Sequence, residues 1–315
     1  MPGYERDDSK SLSNLEYALA GGASGGVTRF FCQPFDVLKI RFQLQVEPIS
    51  KNSLSSKYNA VYQALKTILI EEGIFGLWKG HNAGQLLSIT YGLVQFQTFE
   101  FFTKTSSTVL NLDPTASDVH FLCGSLSGVA ATMASFPFDV AKTRFIAQGN
   151  DRLYNSMFHA FKTMLKDEGV VSLFRGLTPG ILLVAPQTGA MFTVHNMLKK
   201  LFRDANLMPN NVPTLGQNLF IGSMAGLISK TLVYPMDLSR KRLQLQGFRG
   251  RKGFGENFNC RGMMNCILRT IKHEGVRGLY KGLAPSIIKA GVTTAFHFTG
   301  YDMFCRLFLA SHKNK

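Results

Sequence analysis

The sequence has few cysteines and few acidic residues for its length of 315 residues. The five cysteines form no Cys-x-x-Cys pair, and none lies with histidine at the spacing of metal ligands. We therefore interpret them as packing residues and expect no metal site. The 20 acidic residues are outnumbered by 35 lysines and arginines, which gives a formal net charge of +15. This excess favours an anionic partner: nucleic acid, a membrane surface or an anionic substrate.

Features of several function classes are also missing. No Ser/His/acid or Cys/His arrangement recurs and no glycine-rich phosphate loop follows a strand, so we expect neither enzyme activity nor a resident cofactor. The polar first 14 residues match neither a secretory signal nor an Arg-rich transit peptide, so we expect targeting information inside the chain. The bases recur beside acids within apolar segments, which argues against nucleic-acid binding.

The chain does contain a pattern of one proline, one acid and two bases that occurs three times. The copies are Pro34-Phe-Asp36-Val-Leu-Lys39-Ile-Arg41, Pro137-Phe-Asp139-Val-Ala-Lys142-Thr-Arg144 and Pro235-Met-Asp237-Leu-Ser-Arg240-Lys-Arg242. The intervals between the prolines are 137 − 34 = 103 and 235 − 137 = 98 residues. A second pattern, Glu-Gly, four residues, an aromatic residue, a base and glycine, follows each copy at 72–80, 168–176 and 274–282. One unit of about a hundred residues is therefore used three times.

Each repeat predicts two long helices with a short one between them. The first long segments are about thirty residues, which at about 1.5 Å per residue exceeds the roughly 30 Å hydrocarbon core of a bilayer. They lie at 15–43, 118–148 and 215–246. Amphipathic runs at 60–72 and 157–168 are too short and too charged to span, so we place them on the membrane surface. The second long segments lie at 82–102, 178–201 and 284–309.

The fold class predicted from these segments is an all-α membrane protein with six transmembrane helices and short surface helices. Its three pseudo-symmetric repeats, 15–109, 117–203 and 214–309, form one bundle. Each first helix also carries Gly-x-x-x-Gly before its proline, at 21–25, 124–128 and 222–226. This pattern lets helix backbones approach closely in lipid.

The repeated pattern also places charges inside otherwise apolar segments. These charges are Asp36, Lys39, Asp139, Lys142, Asp237 and Arg240. Intramembrane charges are costly unless they face a wet cavity or each other. Acid and base are three residues apart and share a helix face, so three such helices would bring the charges into a ring. A static ion-pair belt is one interpretation; because a buried pair adds little net stability, we favour a gate that opens and closes.

Both patterns, in all three copies, resemble the signature of the mitochondrial carrier family: Pro-x-[Asp/Glu]-x-x-[Lys/Arg]-x-[Lys/Arg], then [Asp/Glu]-Gly-x-x-x-x-[aromatic]-[Lys/Arg]-Gly. The resemblance covers the whole chain. It implies a multi-pass protein of the inner mitochondrial membrane, with both termini in the intermembrane space and alternating access to one central site. An anionic lipid such as cardiolipin is expected on the matrix side. Three repeats already close a ring, so we expect a monomer.

The resemblance implies a gate on the matrix side. Its ion pairs would be Asp36–Lys142, Asp139–Arg240 and Asp237–Lys39. In the family, a glutamine four residues after the base often braces each pair. Gln43 and Gln244 match this position and Ile146 does not, so we expect the second brace to be missing.

A second pattern of the family, [Phe/Tyr]-[Asp/Glu]-x-x-[Lys/Arg] on the cytoplasmic side, is eroded here. Glu100 and Asp302 match the acid but lack the base, and Lys199 matches the base but lacks the acid. These three residues could form only one ion pair. We therefore expect a weak cytoplasmic gate.

Substrate contacts in this family lie nine and ten residues after the aromatic residue and five residues before the prolines. The resemblance thus implies contacts at Arg29, Leu87, Ser88, Thr132, Leu183, Val184, Lys230 and Lys289. Three of these residues are basic: Arg29, Lys230 and Lys289. Such a cluster suits a phosphate-bearing anion, to which arginine offers a bidentate fork and lysine a point charge.

Within the family, several stretches are similar to members that carry thiamine pyrophosphate. They include Trp78-Lys-Gly-His81, Val119-His120-Phe121 and Ile228-Ser-Lys230-Thr-Leu232. The similarity implies that thiamine pyrophosphate is cargo, not cofactor, and is exchanged across the membrane to supply the matrix. An adenine nucleotide or coenzyme A would satisfy the same charges and is the alternative, although Leu183-Val184 differs from the Gly-Ile type common in adenine carriers.

Overall fold

The computed structural model describes residues 13–46, 57–108, 117–149, 153–205, 214–248 and 260–313. Within these ranges all regular structure is helical, so the all-α prediction is confirmed. Repeat one contains α1 (Asn14–Leu44), α2 (Val61–Glu72) and α3 (His81–Thr108). Repeat two contains α4 (Ser117–Ala147), α5 (Met157–Glu168), α6 (Leu177–Leu182) and α7 (Val184–Asp204). Repeat three contains α8 (Leu215–Gln244), α9 (Met263–Gly278) and α10 (Leu283–Lys313).

Three stretches of the described chain are long and apolar enough to cross a membrane. They are Asp118–Ala147, Val170–Asp204 and Gly216–Gln244. Helices α1, α3 and α10 have similar lengths of 31, 28 and 31 residues, but they fall outside that group. Polar side chains such as Asn82, Gln85 and Gln95 are spread along α3. Composition and length together therefore support three of the six predicted spans, and length alone supports the other three.

The second long helix of repeat two loses backbone hydrogen bonding near its start. We predicted one helix over 178–201, whereas the structure ends α6 at Leu182 and begins α7 at Val184. Pro186 lies one turn after the break and has no N–H to donate to the carbonyl of Leu182. Leu183 between them keeps α-helical backbone angles of φ −68° and ψ −32°, and its N–H donates to the Pro179 carbonyl over 3.0 Å. The predicted helix is therefore continuous in its path, and the break between α6 and α7 is a loss of backbone hydrogen bonding at Pro186, beside two predicted substrate contacts.

The Glu-Gly pairs of the second pattern lie at the ends of the short helices. Gly73, Gly169 and Gly275 have φ angles of 70°, 75° and 71°, in the left-handed region that favours glycine. The preceding glutamate is the last residue of α2 and of α5. This arrangement ends α2 and α5 and kinks α9 at Gly275. Each glutamate carboxylate is turned toward the long helices, as the ion pairs below show.

The second helix of each repeat packs on the first helix of the next. The most extensive helix contacts are those of α3 with α4, α7 with α8, and α10 with α1. The three contacts together close a ring. A large buried apolar cluster, which includes Val37, Phe136 and Ile146, lies at the end that carries the Pro-x-Asp patterns.

The glycines of the Gly-x-x-x-Gly patterns face open space or distant side chains. A Cβ atom added at Gly21, Gly25, Gly222 or Gly226 would meet no atom within 4 Å. At Gly124 and Gly128 the nearest atoms, from Phe99 and Tyr91, are 4.0 Å away. These glycines therefore do not themselves form the close contact between helices. In α1 that contact lies beside them at Ser24, whose Oγ would be 2.9 Å from a Cβ atom added at Gly300 of α10.

Close approach occurs instead at the glycine that ends each second pattern. Gly80, Gly176 and Gly282 have φ angles of 75°, 86° and 84°. A Cβ atom at these positions would lie 3.0, 2.9 and 2.7 Å from the backbone oxygens of Lys142, Arg240 and Lys39, respectively. Each glycine thus lets one repeat contact the backbone of the next repeat. The contacted carbonyl belongs to the first base of that repeat's Pro-x-Asp pattern.

We expect Gly282→Ala to destabilise the protein by more than about 1 kcal/mol, since alanine is strained at positive φ and its Cβ would clash with the Lys39 carbonyl. Thermal unfolding of the detergent-purified protein would measure the loss. Gly291→Ala in α10 is the matched control, because a Cβ atom there meets nothing within 4 Å. Equal melting temperatures for the two variants would contradict this description of the repeat contact.

Candidate functional site

The six charges of the Pro-x-Asp patterns form three ion pairs between repeats. Lys142 Nζ lies 2.8 Å from Asp36 Oδ2, Lys39 Nζ lies 2.7 Å from Asp237 Oδ2, and Arg240 Nη2 lies 2.8 Å from Asp139 Oδ2. We call these six residues the ionic ring. Their side chains are between 6% and 18% exposed, so the pairs lie largely out of bulk solvent. Every pair joins two different repeats, which closes the bundle at this level.

Two of the pairs carry a glutamine. Gln43 Nε2 donates to Asp237 Oδ2 over 3.1 Å, and Gln244 Nε2 donates to Asp139 Oδ2 over 2.6 Å. The corresponding residue near Asp36–Lys142 is Ile146, which is fully buried and has no hydrogen-bonding group. The three pairs are therefore chemically unequal.

Two further lysines contact the ring, and sequence reasoning assigned neither of them to it. Lys289 Nζ lies 2.6 Å from Asp36 Oδ1, so Asp36 is shared by two lysines. Lys241 Nζ lies 2.8 Å from Asp139 Oδ1 and also donates to Thr143. Lys241 stands where the other two copies of the pattern have Ile40 and Thr143. This extra base in the third copy was the feature of the sequence that could have indicated its contact with the ring.

A second set of contacts, which we call the inter-repeat triads, joins the last base of the first pattern to the second pattern. In repeat one, Glu72 pairs with Arg41 at 2.6 Å and with Lys79. Glu168 pairs with Arg144 and Arg175, each at 2.5 Å, and Glu274 pairs with Arg242 and Lys281. The common spacing of the two patterns could have predicted these contacts, but the sequence analysis gave no role to the second base.

The triads reach across to the following repeat. Lys79 donates to the Gly149 carbonyl over 2.9 Å, and Lys281 donates to the Gln45 carbonyl over 3.0 Å. Burial by itself raises the pKa of the Glu72 carboxyl, but the hydrogen bonds from Arg41 and Lys79 outweigh this and hold that pKa below its usual range. Glu72 therefore stays ionised, and the triad remains a charged link.

The three predicted substrate cations lie near the ring. Arg29 Nη1 donates to the Gly84 carbonyl over 2.8 Å, and Lys230 Nζ donates to the Ser286 carbonyl over 2.9 Å. Arg29 and Lys289 line a cavity of about 210 Å³ that also reaches Asp36. Thr28, Thr293 and His297 supply further polar groups to its wall. The structure thus brings two of the three cations into one cavity directly above the ionic ring.

The other predicted contacts are not joined to these cations by any hydrogen bond in the described part of the chain. Leu87, Ser88, Leu183 and Val184 are half-buried, the last two at the break between α6 and α7. Thr132 is buried, and its hydroxyl donates to the Gly128 carbonyl of its own helix over 2.7 Å. These side chains therefore offer mainly shape and apolar surface in this arrangement.

The three residues of the expected cytoplasmic gate form no ion pair with one another in the described chain. Glu100 pairs with Lys104 at 2.7 Å and Asp302 pairs with Arg306 at 2.8 Å, both along one helix face and largely exposed. Lys199 is half-buried and makes no ion pair with either acid. The one cross-helix pair that the sequence allowed is thus not formed, because each acid has a base one turn away on its own helix.

The fold and the site together define a class of protein. A helical membrane bundle is closed at one end by buried ion pairs between its repeats, and it holds a cationic cavity above them. Such a bundle has the parts of a membrane transporter with one site and a charged gate.

Comparisons with known proteins also indicate a membrane transporter. The family model described as mitochondrial carrier protein matches residues 10–109, 116–206 and 211–312. The chain is 43% identical over 310 residues to the mitochondrial thiamine pyrophosphate carrier of Homo sapiens, covering 98% of this chain and 97% of that protein. It is 36% identical over 311 residues to mitochondrial thiamine pyrophosphate carrier 1 of Phaeosphaeria nodorum, covering 96% and 95%.

The chain therefore belongs to the mitochondrial carrier family. The family expected from the two repeated patterns is confirmed, and with it a multi-pass mitochondrial transport protein. Zea mays has a similar protein, mitochondrial thiamine diphosphate carrier 2, which is 33% identical over 325 residues and covers 95% of this chain and 96% of its own length.

Proposed function

We propose that this protein exchanges thiamine pyrophosphate across the inner mitochondrial membrane by alternating access and supplies it to the matrix. The observation that carries the proposal is the cavity lined by Arg29 and Lys289 directly above Asp36. The similar proteins named as thiamine pyrophosphate carriers support the choice of cargo. Thr28, Thr293 and His297 in the cavity wall would hydrogen-bond the rest of the molecule.

The charge balance near the ring favours a polyvalent anion. Seven bases face three carboxylates, an excess of 7 − 3 = 4 positive charges. The bases are Arg29, Lys39, Lys142, Lys230, Arg240, Lys241 and Lys289. Unbalanced buried charge is costly, so a bound diphosphate would stabilise this part of the protein by supplying the missing negative charge.

The contact between Lys289 and Asp36 suggests how binding opens the gate. Asp36 holds Lys142 with one oxygen and Lys289 with the other. A diphosphate in the cavity would compete with Asp36 for Lys289 and would also reach Arg29. The pair Asp36–Lys142 has no glutamine that donates a hydrogen bond to it. Its stability would therefore fall more than that of the other two pairs when Lys289 leaves Asp36. Occupied carriers would therefore open toward the matrix more readily than empty ones.

We propose that the three repeats, 15–109, 117–203 and 214–309, act as one bundle around this site and that a single chain is sufficient. The ionic ring with Gln43 and Gln244 would be the matrix gate. Glu100, Lys199 and Asp302 would give only a weak cytoplasmic gate, because two of them already have partners on their own helices. The carrier would be a transporter and would have no catalytic activity of its own.

This asymmetry of the gates predicts unequal effects of two lysine variants. Lys199→Ala is expected to leave the exchange rate within about twofold of wild type, since Glu100 and Asp302 pair with Lys104 and Arg306 and the variant breaks neither pair. Lys39→Ala is expected to abolish exchange, because it leaves Asp237 buried without its cation. Uptake into proteoliposomes with matched protein content measures both. Equal damage from the two variants would contradict a weak cytoplasmic gate.

An anionic lipid is the second proposed ligand. A depression of about 180 Å³ lies between the first two repeats, where α3 and α5 both begin. Gly80, His81, Ser156 and Met157 line it. Two helix N-termini that meet at one site favour a phosphate group, since their free N–H groups and dipoles attract negative charge. Cardiolipin, with two phosphates, fits this site on the expected matrix side.

Transport of a panel of substrates tests the proposed function. Liposomes that contain the purified protein would be given labelled thiamine pyrophosphate, an adenine nucleotide or coenzyme A, and unlabelled thiamine as competitor. We expect saturable uptake of thiamine pyrophosphate, which thiamine competes with poorly because it lacks the diphosphate. Saturable uptake of the nucleotide or coenzyme A without that of thiamine pyrophosphate would keep the transporter and overturn the cargo.

A further inference from the structure

The third repeat differs from the other two at a pair of buried positions beneath the inter-repeat triads. Repeat one has Tyr58 and Ala64, and repeat two has Tyr154 and Ala160. The equivalent residues of repeat three, at the same six-residue separation, are Cys260 and Cys266. All six side chains are less than 5% exposed. A tyrosine and an alanine are thus replaced by two thiols at one buried place.

The two thiols are in contact. Cys260 and Cys266 pack together with Leu243 in a small buried cluster. In repeats one and two the tyrosine hydroxyl accepts from the triad arginine, over 3.2 Å from Arg41 and 3.3 Å from Arg144. The Cys260 side chain is shorter, and Arg242 donates instead to the Thr270 hydroxyl over 3.0 Å. The thiols are therefore not needed to hold the arginine.

We propose that Cys260 and Cys266 form a redox-active dithiol that a peroxide converts reversibly to a disulfide. The Cys260 thiolate attacks one peroxide oxygen, the O–O bond breaks, and a sulfenic acid and water form. The Cys266 sulfur then attacks the Cys260 sulfur and loses its proton. The S–O bond breaks and a second water leaves, so two thiols and one hydrogen peroxide give one disulfide and two waters.

The surroundings assign different roles to the two sulfur atoms. The hydrogen bond from the Cys266 thiol lowers the pKa of the Cys260 thiol, against the opposing effect of burial, and the positive charge of Arg242 also lowers it. The same hydrogen bond, together with burial, raises the pKa of the Cys266 thiol. Cys260 is also 4% exposed, whereas Cys266 is fully buried, so a peroxide reaches Cys260 first. Cys260 is therefore the attacking thiolate, and Cys266 resolves the intermediate.

The disulfide would act on the third inter-repeat triad. The Thr270 hydroxyl donates to the Cys266 carbonyl over 2.7 Å and accepts from Arg242, which pairs with Glu274. A bond that restrains Cys266 thus restrains the first turns of α9 under this triad. If transport requires the repeats to move relative to one another, exchange by the oxidised carrier would be slower, and dithiothreitol would restore it.

Peptide mapping of the full-length carrier in liposomes tests the site. After treatment with hydrogen peroxide, free thiols are blocked with N-ethylmaleimide and the protein is digested with trypsin without reduction. Cleavage after Arg261 and Arg269 places the two cysteines on separate peptides, 253–261 and 262–269. We expect a disulfide-linked peptide pair that dithiothreitol separates, whereas Cys32, Cys123 and Cys305 remain blocked as free thiols.

Cys266→Ala is the matched variant, since repeats one and two already have alanine at this position. It should give no linked peptide and an exchange rate that peroxide does not change. Blocking of Cys260 and Cys266 in the wild-type carrier to the same extent as Cys32 would overturn the dithiol. A linked peptide without any change in the exchange rate would overturn its influence on the triad.

Discussion

Reversing one charge of the Lys39–Asp237 pair is expected to abolish exchange, and reversing both is expected to restore a large part of it. Each single variant, Lys39→Asp or Asp237→Lys, places two like charges within about 3 Å of each other at a largely buried site. Breaking such a pair costs about 3–5 kcal/mol, and the gate would not close. The double variant restores an attractive pair with its direction reversed. Exchange in proteoliposomes, normalised to the amount of folded protein, measures all three.

The same reversal at Asp36–Lys142 is the contrasting case. Because Lys289 also lies 2.6 Å from Asp36, a lysine at position 36 would face Lys289 even when position 142 carries an aspartate. We therefore expect little rescue there. If both double variants recover equally, the shared contact of Lys289 has no influence on the gate. If neither single variant reduces exchange in folded protein, the ionic ring is a static belt and not a gate.

Replacing Lys289 with alanine is expected to have the second large effect. The variant removes both a predicted contact to the diphosphate and the second cation on Asp36. A hydrogen bond to a charged group contributes about 1.5–3 kcal/mol, so we expect the apparent affinity for thiamine pyrophosphate to fall by at least about tenfold. Initial uptake rates over a range of substrate concentrations separate this loss of affinity from a loss of maximal rate.

Lys200→Ala is the control for this variant, because Lys200 is an exposed lysine of α7 and lies outside the cavity. Its affinity should equal that of the wild-type protein. A Lys289→Ala carrier with unchanged affinity and a reduced maximal rate would show that Lys289 serves the gate alone. A carrier with unchanged affinity and rate would remove Lys289 from both proposed roles.

The repeated patterns predicted most of the architecture, because each copy marks the same helix ends in its own repeat. Helix α5 begins and ends at the predicted residues, and α1 extends by one residue at each end beyond the prediction. That the six charges form a ring follows from the repeat spacing, since equivalent residues on three related helices meet near the axis. Which acid pairs with which base was implied by the family resemblance. The internal repetition thus indicated which residues are equivalent in the three repeats.

Features that break the threefold pattern were harder to predict. The break between α6 and α7 depends on Pro186, which has no equivalent in the other repeats. The repeated pattern could not predict the role of Lys241, because this residue stands at a position where the pattern allows any residue. The contact of Lys289 with Asp36 joins the last helix to the first, and periodicity within a segment carries no information about such a distance.

We propose that one cationic site above the ionic ring carries thiamine pyrophosphate by alternating access. The most direct test of this proposal is the initial rate of labelled thiamine pyrophosphate uptake into proteoliposomes that are either empty or preloaded with unlabelled thiamine pyrophosphate. We predict saturable uptake that is severalfold faster into the preloaded vesicles, because an occupied site releases Lys289 from Asp36 and returns more readily than an empty one. Uptake that does not saturate, or that is equally fast into empty and preloaded vesicles, would contradict exchange through this site.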